Sequence, residues 1–179
     1  MPRWAQRAEG KAAVAETRET EILKTALLLE RQGQAFYGQV AATTASPAVA
    51  KIFRMMAAEE AKHEEYLSRQ FSQYAAQGSF LEHTPEEQPA DLAGEVLTRE
   101  VRSQVSASGF EAAAISAAIE MENRAVRVYS DRGAATNDPS ERRLYEFLAA
   151  WERGHLAFLA GLNDELREEI WGDNRFWPF

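Results

Sequence analysis

The sequence repeats itself at an offset of 92 positions, and this constrains the fold more than any other feature of the chain. In that register Glu30 falls on Glu122, Tyr37 on Tyr129, Pro47 on Pro139, Phe53 on Tyr145, Glu60 on Glu152 and His63 on His155. No gap is needed from Leu27 to Leu67, which meets Leu159. A single matched proline or glutamate is ordinary. Cap, aromatic and acidic positions matched together describe two copies of one structural unit.

Each unit reads as a helical hairpin. From Thr17 to Thr43 the chain is dominated by Ala, Glu, Arg, Leu and Gln without a proline, which is the composition of a long helix. Ser46-Pro47 is an N-cap followed by proline at the first helical position, and the helix it opens should run to about Gln77. The second copy repeats these signals. Ser108 is the expected cap of a helix ending near Ala134, and Asp138-Pro139 opens a last helix reaching about Glu169. Between the copies, the Gly, Ser, Thr and Pro of Gly78 to Pro89 read as a loop, followed by a shorter helical stretch from Asp91 to Val105. That connection is too long for a tight turn and long enough to run the length of a bundle. The expected fold is therefore all-α: two antiparallel hairpins joined by one long crossover into a four-helix bundle over residues 17–169. An N-terminal arm (residues 1–16) precedes it and an aromatic tail (residues 170–179) follows.

The absence of cysteine excludes disulfides, thiolate zinc sites, iron–sulfur clusters and cysteine nucleophiles, so any metal must bind through nitrogen or oxygen. A formal charge of −8, with Arg interspersed among Glu, argues against nucleic-acid binding. No stretch approaches the roughly 20 apolar residues of a membrane span, and Met1 to Thr20 lacks a secretory apolar core. The expected location is cytoplasmic, with no membrane or nucleic-acid partner.

The chemistry lies in where the hairpins place their acids. Glu30 precedes the first turn by about 15 residues and Glu60 follows it by about 15, so both stand about 22 Å from the loop and share one level. Glu122 and Glu152 have the same relation to the second turn. Glu60-Ala61-Lys62-His63 and Glu152-Arg153-Gly154-His155 each set a carboxylate and an imidazole three residues apart, about one helical turn along the same face. Four carboxylates gathered in one buried layer cannot all stay ionised unless cations replace the lost water, and two divalent ions supply the compensating charge. Fe, Mn and Zn all suit such oxygen and imidazole donors.

This set, Glu30, Glu60-x-x-His63, Glu122 and Glu152-x-x-His155 with Tyr37 and Tyr129 seven residues after the first glutamate of each half, resembles the rubrerythrin and ferritin-like di-iron family. The resemblance covers about Thr20 to Leu166 and implies a ferritin-like bundle holding two iron ions. It implies that Glu60 and Glu152 bridge the ions, while Glu30 with His63 and Glu122 with His155 complete each shell. Two departures matter. Without cysteines there is no rubredoxin-like iron domain, so an external electron donor is expected. Rubrerythrins also carry a further glutamate three residues before the position of Glu122, and here that residue is Ile119, with Glu120 pointing about 160° away from Glu122. The expected activity is that of an O2- or peroxide-using di-iron oxidoreductase or ferroxidase, and these departures shift weight from the peroxide-reducing mechanism toward a plainer oxidase, ferroxidase or iron-handling role.

Other readings stand beside these. The acids could lie on solvated faces, although the periodicity puts Leu29, Phe36, Met56 and Leu148 on neighbouring apolar stripes. Tyr37 and Tyr129 either hydrogen-bond the ligand carboxylates or are packed aromatics. His83 reads as a surface loop residue, and Glu59, whose repeat mate is Trp151, is not expected to be a ligand. The aromatic tail points to packing on the bundle or across a homodimer or larger homo-oligomer. The functional alternatives to an oxidoreductase are a non-catalytic metal-binding or iron-delivery module and a bundle whose duplicated sites have lost function.

Overall fold

The computed structural model describes residues 17–82 and 109–172, with the side chains of residue 166 and of 168–172 left aside. Four helices occupy these segments: α1 (Arg18–Thr43), α2 (Pro47–Gln77), α3 (Phe110–Ala135) and α4 (Pro139–Gly172). Helix α1 packs along α2 and α3 along α4, giving the two hairpins of an all-α four-helix bundle. No described helix is long and apolar enough to cross a membrane. His83, Ser108, the helical stretch proposed from Asp91 to Val105, the arm, and the tail beyond Gly172 lie outside the described residues.

The helix boundaries follow from their end groups. Thr17 caps α1 in a reciprocal pair: its Oγ1 accepts the Thr20 N–H at 3.2 Å and its own N–H donates to Thr20 Oγ1 at 2.9 Å. Ser46 Oγ accepts the Val49 N–H at 3.3 Å, and Asp138 Oδ1 accepts the N–H groups of Ser140 at 2.7 Å and Glu141 at 3.1 Å. These satisfy N–H groups that a helix start leaves without partners, so the cap-plus-proline signal works in both hairpins. Helix α2 stops at Gly78, whose φ of 69° is left-handed and costs glycine nothing, and its N–H closes on the Tyr74 carbonyl at 2.8 Å. Two expectations need correction. Helix α3 follows Gly109, at φ 106°, with no side-chain cap, rather than Ser108. Helix α4 continues three residues past Glu169 to Gly172, so the segment taken as a tail begins as helix.

Two apolar clusters fill the bundle. One joins Tyr37, Val40, Ile52, Phe53 and Met56 to Ile115, Ala118, Phe158 and Leu159. The other joins Leu23, Ala26 and Leu67 to Tyr129, Leu144, Tyr145 and Leu148. Each contains the turn end of one hairpin and the open end of the other. The residues between them in sequence, Glu30, Glu60, His63, Glu122, Glu152 and His155, form a polar layer closed by hydrocarbon on both sides.

The repeat also sets the contacts at the turns. Thr44 Oγ1 donates to Glu111 at 2.7 Å, tying the first turn to the start of α3. At the second turn the repeat mate of Thr44, Thr136, donates to buried Glu141, and Arg132 Nε donates to that carboxylate at 2.7 Å. Arg132 also approaches Glu19, the mate of Glu111, at 3.9 Å. Arg132 and Glu141 have no charged mates, since Val40 and Val49 hold those positions. Removing one partner of such a pair strands a buried charge. Glu141→Ala should therefore lower the unfolding free energy by about 3–5 kcal/mol. The joint replacement Arg132→Met with Glu141→Leu should recover most of that loss in a urea titration. An unchanged midpoint for Glu141→Ala would show that the pair carries none of the stability.

Candidate metal centre

Each functional side chain reaches the polar layer because helical spacing turns it inward. Glu30 comes from α1, Glu60 and His63 from α2, Glu122 from α3, and Glu152 and His155 from α4, and all of them are buried. His63 Nδ1 lies 3.0 Å from Glu30, 2.9 Å from Glu152 and 3.6 Å from Glu60. His155 Nδ1 lies 3.1 Å from Glu152, 3.4 Å from Glu60 and 3.6 Å from Glu122. The two imidazoles stack with centroids 5.4 Å apart at 19°. The arrangement repeats the sequence symmetry in space: each imidazole faces both Glu60 and Glu152.

The donors sort into two groups, Glu30, Glu60, His63 and Glu152, and Glu60, Glu122, Glu152 and His155, each offering ligand atoms within 4.8 Å of one another. Glu60 and Glu152 belong to both. A cation fits this donor set better than the donors fit each other. Glu152 Oε1, though near His63, lacks hydrogen-bond alignment with it and is among the buried atoms without a hydrogen-bond partner. Paired four-donor groups sharing two carboxylates match the geometry of dinuclear carboxylate sites in four-helix bundles.

Tyr37 and Tyr129 resolve toward the hydrogen-bonding reading. The Tyr37 hydroxyl donates to Glu122 and the Tyr129 hydroxyl to Glu30, so each crosses from one hairpin to the other. Both phenols are driven well above their ordinary range, first by burial and then by the carboxylates around them, so both keep the proton they donate.

The electrostatics show what the layer costs. Burial, followed by the Glu152 charge, drives Glu30 well above the usual carboxylate range, and the same two causes raise Glu122 to about 8. For Glu152, burial pushes upward, but the His63 charge and the close contacts with both imidazoles outweigh it and hold it well below its ordinary value. Glu60 is lowered likewise, burial and the Glu152 charge being overcome by the nearby His155 and His63 rings. Both imidazoles lie well above theirs: burial opposes the charge, and the surrounding carboxylates reverse that effect. A cation bound by these groups would have to displace the protons that burial and mutual repulsion draw to them.

The remaining expected residues separate cleanly. Glu120 is exposed, and Ile119 packs against the apolar cluster at the position where a further glutamate would enlarge the donor set. Glu59 is buried but belongs to neither donor group. One contributor was missed in the sequence. A Cβ on Gly33 would meet Glu60 Cδ at 3.2 Å, so its bare backbone makes room for that carboxylate. An isolated glycine inside a strongly helical stretch was the available signal. Gly33 also lines a cavity of about 20 Å³ on the α1–α3 side, with Glu30, Tyr37, Glu122 and Ala125, enough for one water-sized molecule.

A family model described as Rubrerythrin matches residues 21–163. Among solved structures, the chain is similar to "Hypothetical Protein Pfu-1136390-001 From Pyrococcus furiosus" at 24% identity, covering 84% of this chain and 90% of that one, with a TM-score of 0.59. That likeness supports the fold alone. A search of curated proteins returned no match.

Gly33→Val would place branched carbons in the space of the Glu60 carboxylate. Helical content by circular dichroism should be retained while Zn(II) affinity in equilibrium dialysis falls by about tenfold or more, the scale seen when ligand-orienting contacts are lost. Unaltered affinity would show that Glu60 does not need that space.

Proposed function

The chain belongs to the rubrerythrin family, a ferritin-like di-iron family, and from that premise we propose that it binds two iron ions and uses them to reduce O2 or peroxide, as an oxidoreductase or ferroxidase. Glu30 and His63 would hold one ion and Glu122 and His155 the other, with Glu60 and Glu152 available to both. The observation that supports this reading is the sharing of Glu60 and Glu152 between two buried donor groups. When bound, two ferrous ions each supply one electron, so that a two-electron reduction of the oxidant proceeds without release of a one-electron product.

The chain's own residues set the conditions for that chemistry. Four carboxylates and two neutral imidazoles match the charge of two divalent cations, which relieves the repulsion that otherwise draws protons into the layer. Tyr37 and Tyr129 fix Glu122 and Glu30 from the opposite hairpin, so the donors are oriented before a cation arrives. The apolar clusters above and below exclude bulk water. The imidazoles lie together on the α2–α4 side, and the cavity lies on the α1–α3 side. A small oxidant would reach the donor layer through that cavity, which Leu29, Gly33 and Ala125 line beside Glu30 and Glu122. Ile119 leaves the donor set without a further carboxylate on α3, which favours a plain oxidase or ferroxidase over the peroxide chemistry of family members that carry one.

Anaerobic loading with two Fe(II) per chain followed by oxygen tests this reading. Oxidation should outpace that of the same iron in buffer and recur on each refill. The double variant Glu60→Ala with Glu152→Ala should fall to the buffer rate. A single stoichiometric event that does not recur would favour a non-catalytic iron-binding or delivery role. No acceleration at all would remove the enzyme reading.

A further inference from the structure

The two metal positions are alike in their ligands and unlike in what supports the imidazoles. Each histidine turns Nδ1 toward the carboxylates, so in the neutral ring the proton sits on Nε2. A metal-bound imidazole ordinarily donates that proton to a carboxylate, a carbonyl or water, which fixes the ring and makes it a better donor. Here both Nε2 atoms are buried and without a hydrogen-bond partner.

The ring of His63 abuts Trp151, centroids 4.6 Å apart at 79°, an edge-to-face contact that gives Nε2–H no oxygen to bond. The 92-residue repeat carries His63 onto His155 and Trp151 onto Glu59. The same operation already relates the Tyr37–Glu122 bond to Tyr129–Glu30, and the His63–Glu152 contact to His155–Glu60. Glu59 therefore occupies, against His155, the place that Trp151 occupies against His63. The residue is 7% exposed, Lys62 holds its Oε1 at 3.0 Å, and its Oε2 is buried without a hydrogen-bond partner. A buried acceptor and a buried donor stand unused at matching positions.

We propose that Glu59 Oε2 accepts the Nε2–H of His155, so that the ion held by Glu122 and His155 is bound more tightly than the ion held by Glu30 and His63. This rests on the dinuclear reading above. Glu59 is a positioning residue: it touches neither ion and acts through the imidazole. The two positions would then fill in order, with the Trp151 side the one that empties and refills.

Stepwise Zn(II) titration of the metal-free full chain, with proton–nitrogen spectra of histidine-labelled protein, tests the assignment. The chain has only three histidines, so the ring signals are separable. In the Zn-loaded wild type, one Nε2–H should lie far downfield and exchange slowly, that of His155. The His63 signal should be shifted upfield by the indole. Glu59→Leu should move the first signal alone and weaken one of two binding steps by about 10–100-fold. Glu59→Gln, whose amide oxygen still accepts, should restore most of that loss. A wild type that binds two Zn(II) but shows no downfield Nε2–H, or a folded Glu59→Leu that binds both ions as the wild type does, overturns the role of Glu59 alone. Failure of the wild type to bind two ions overturns the dinuclear reading and this inference with it.

Discussion

Four carboxylates enclosed in one layer of a helical bundle repel one another and lose their water, and every other feature of the molecule is arranged around that cost. Burial raises Glu122 to about 8 and Glu30 well above the usual carboxylate range, while the two imidazoles hold Glu60 and Glu152 below it. An apolar core of the same volume would be easier to stabilise. Retaining the layer makes sense if divalent cations complete it, and then the same burial that penalises the bare acids strengthens their hold on the metal. The apolar clusters on either side serve stability and water exclusion at once.

Much of this was legible because the relevant signals are local or periodic. Ser46-Pro47 and Asp138-Pro139 cap helices whatever surrounds them, and a Glu-x-x-His pair shares a helix face by geometry alone. Equal distances from the turns then placed Glu30 level with Glu60 and Glu122 level with Glu152 before any packing was known. The hydroxyls of Tyr37 and Tyr129 were ambiguous in the sequence, because a buried phenol finds some partner in either reading. Only the crossing of hairpins shows that the partners are Glu122 and Glu30.

What stayed hidden depends on contacts between elements. Trp151 and Glu59 looked like a failed match in the repeat, and their significance appears only once His63 is seen against the indole. Gly33 looked like a weak point in α1 until the space it leaves was found beside Glu60. Arg132 and Glu141 are separated by nine residues across a turn, a relation no helical periodicity predicts. The start of α3 at Gly109 belongs to the same class, since that end carries no side-chain cap. The two halves keep the symmetry in the buried donor layer and its two tyrosines and lose it at positions such as Trp151 and Glu59.

Crystals of the iron-loaded protein test most directly, through anomalous scattering on either side of the iron edge, whether six side chains from four helices surround a pair of ions. Two peaks within the layer, one beside His63 and one beside His155, with Glu60 and Glu152 between them, are the predicted result. Iron elsewhere on the surface, or a single peak bound by neither imidazole, would contradict it.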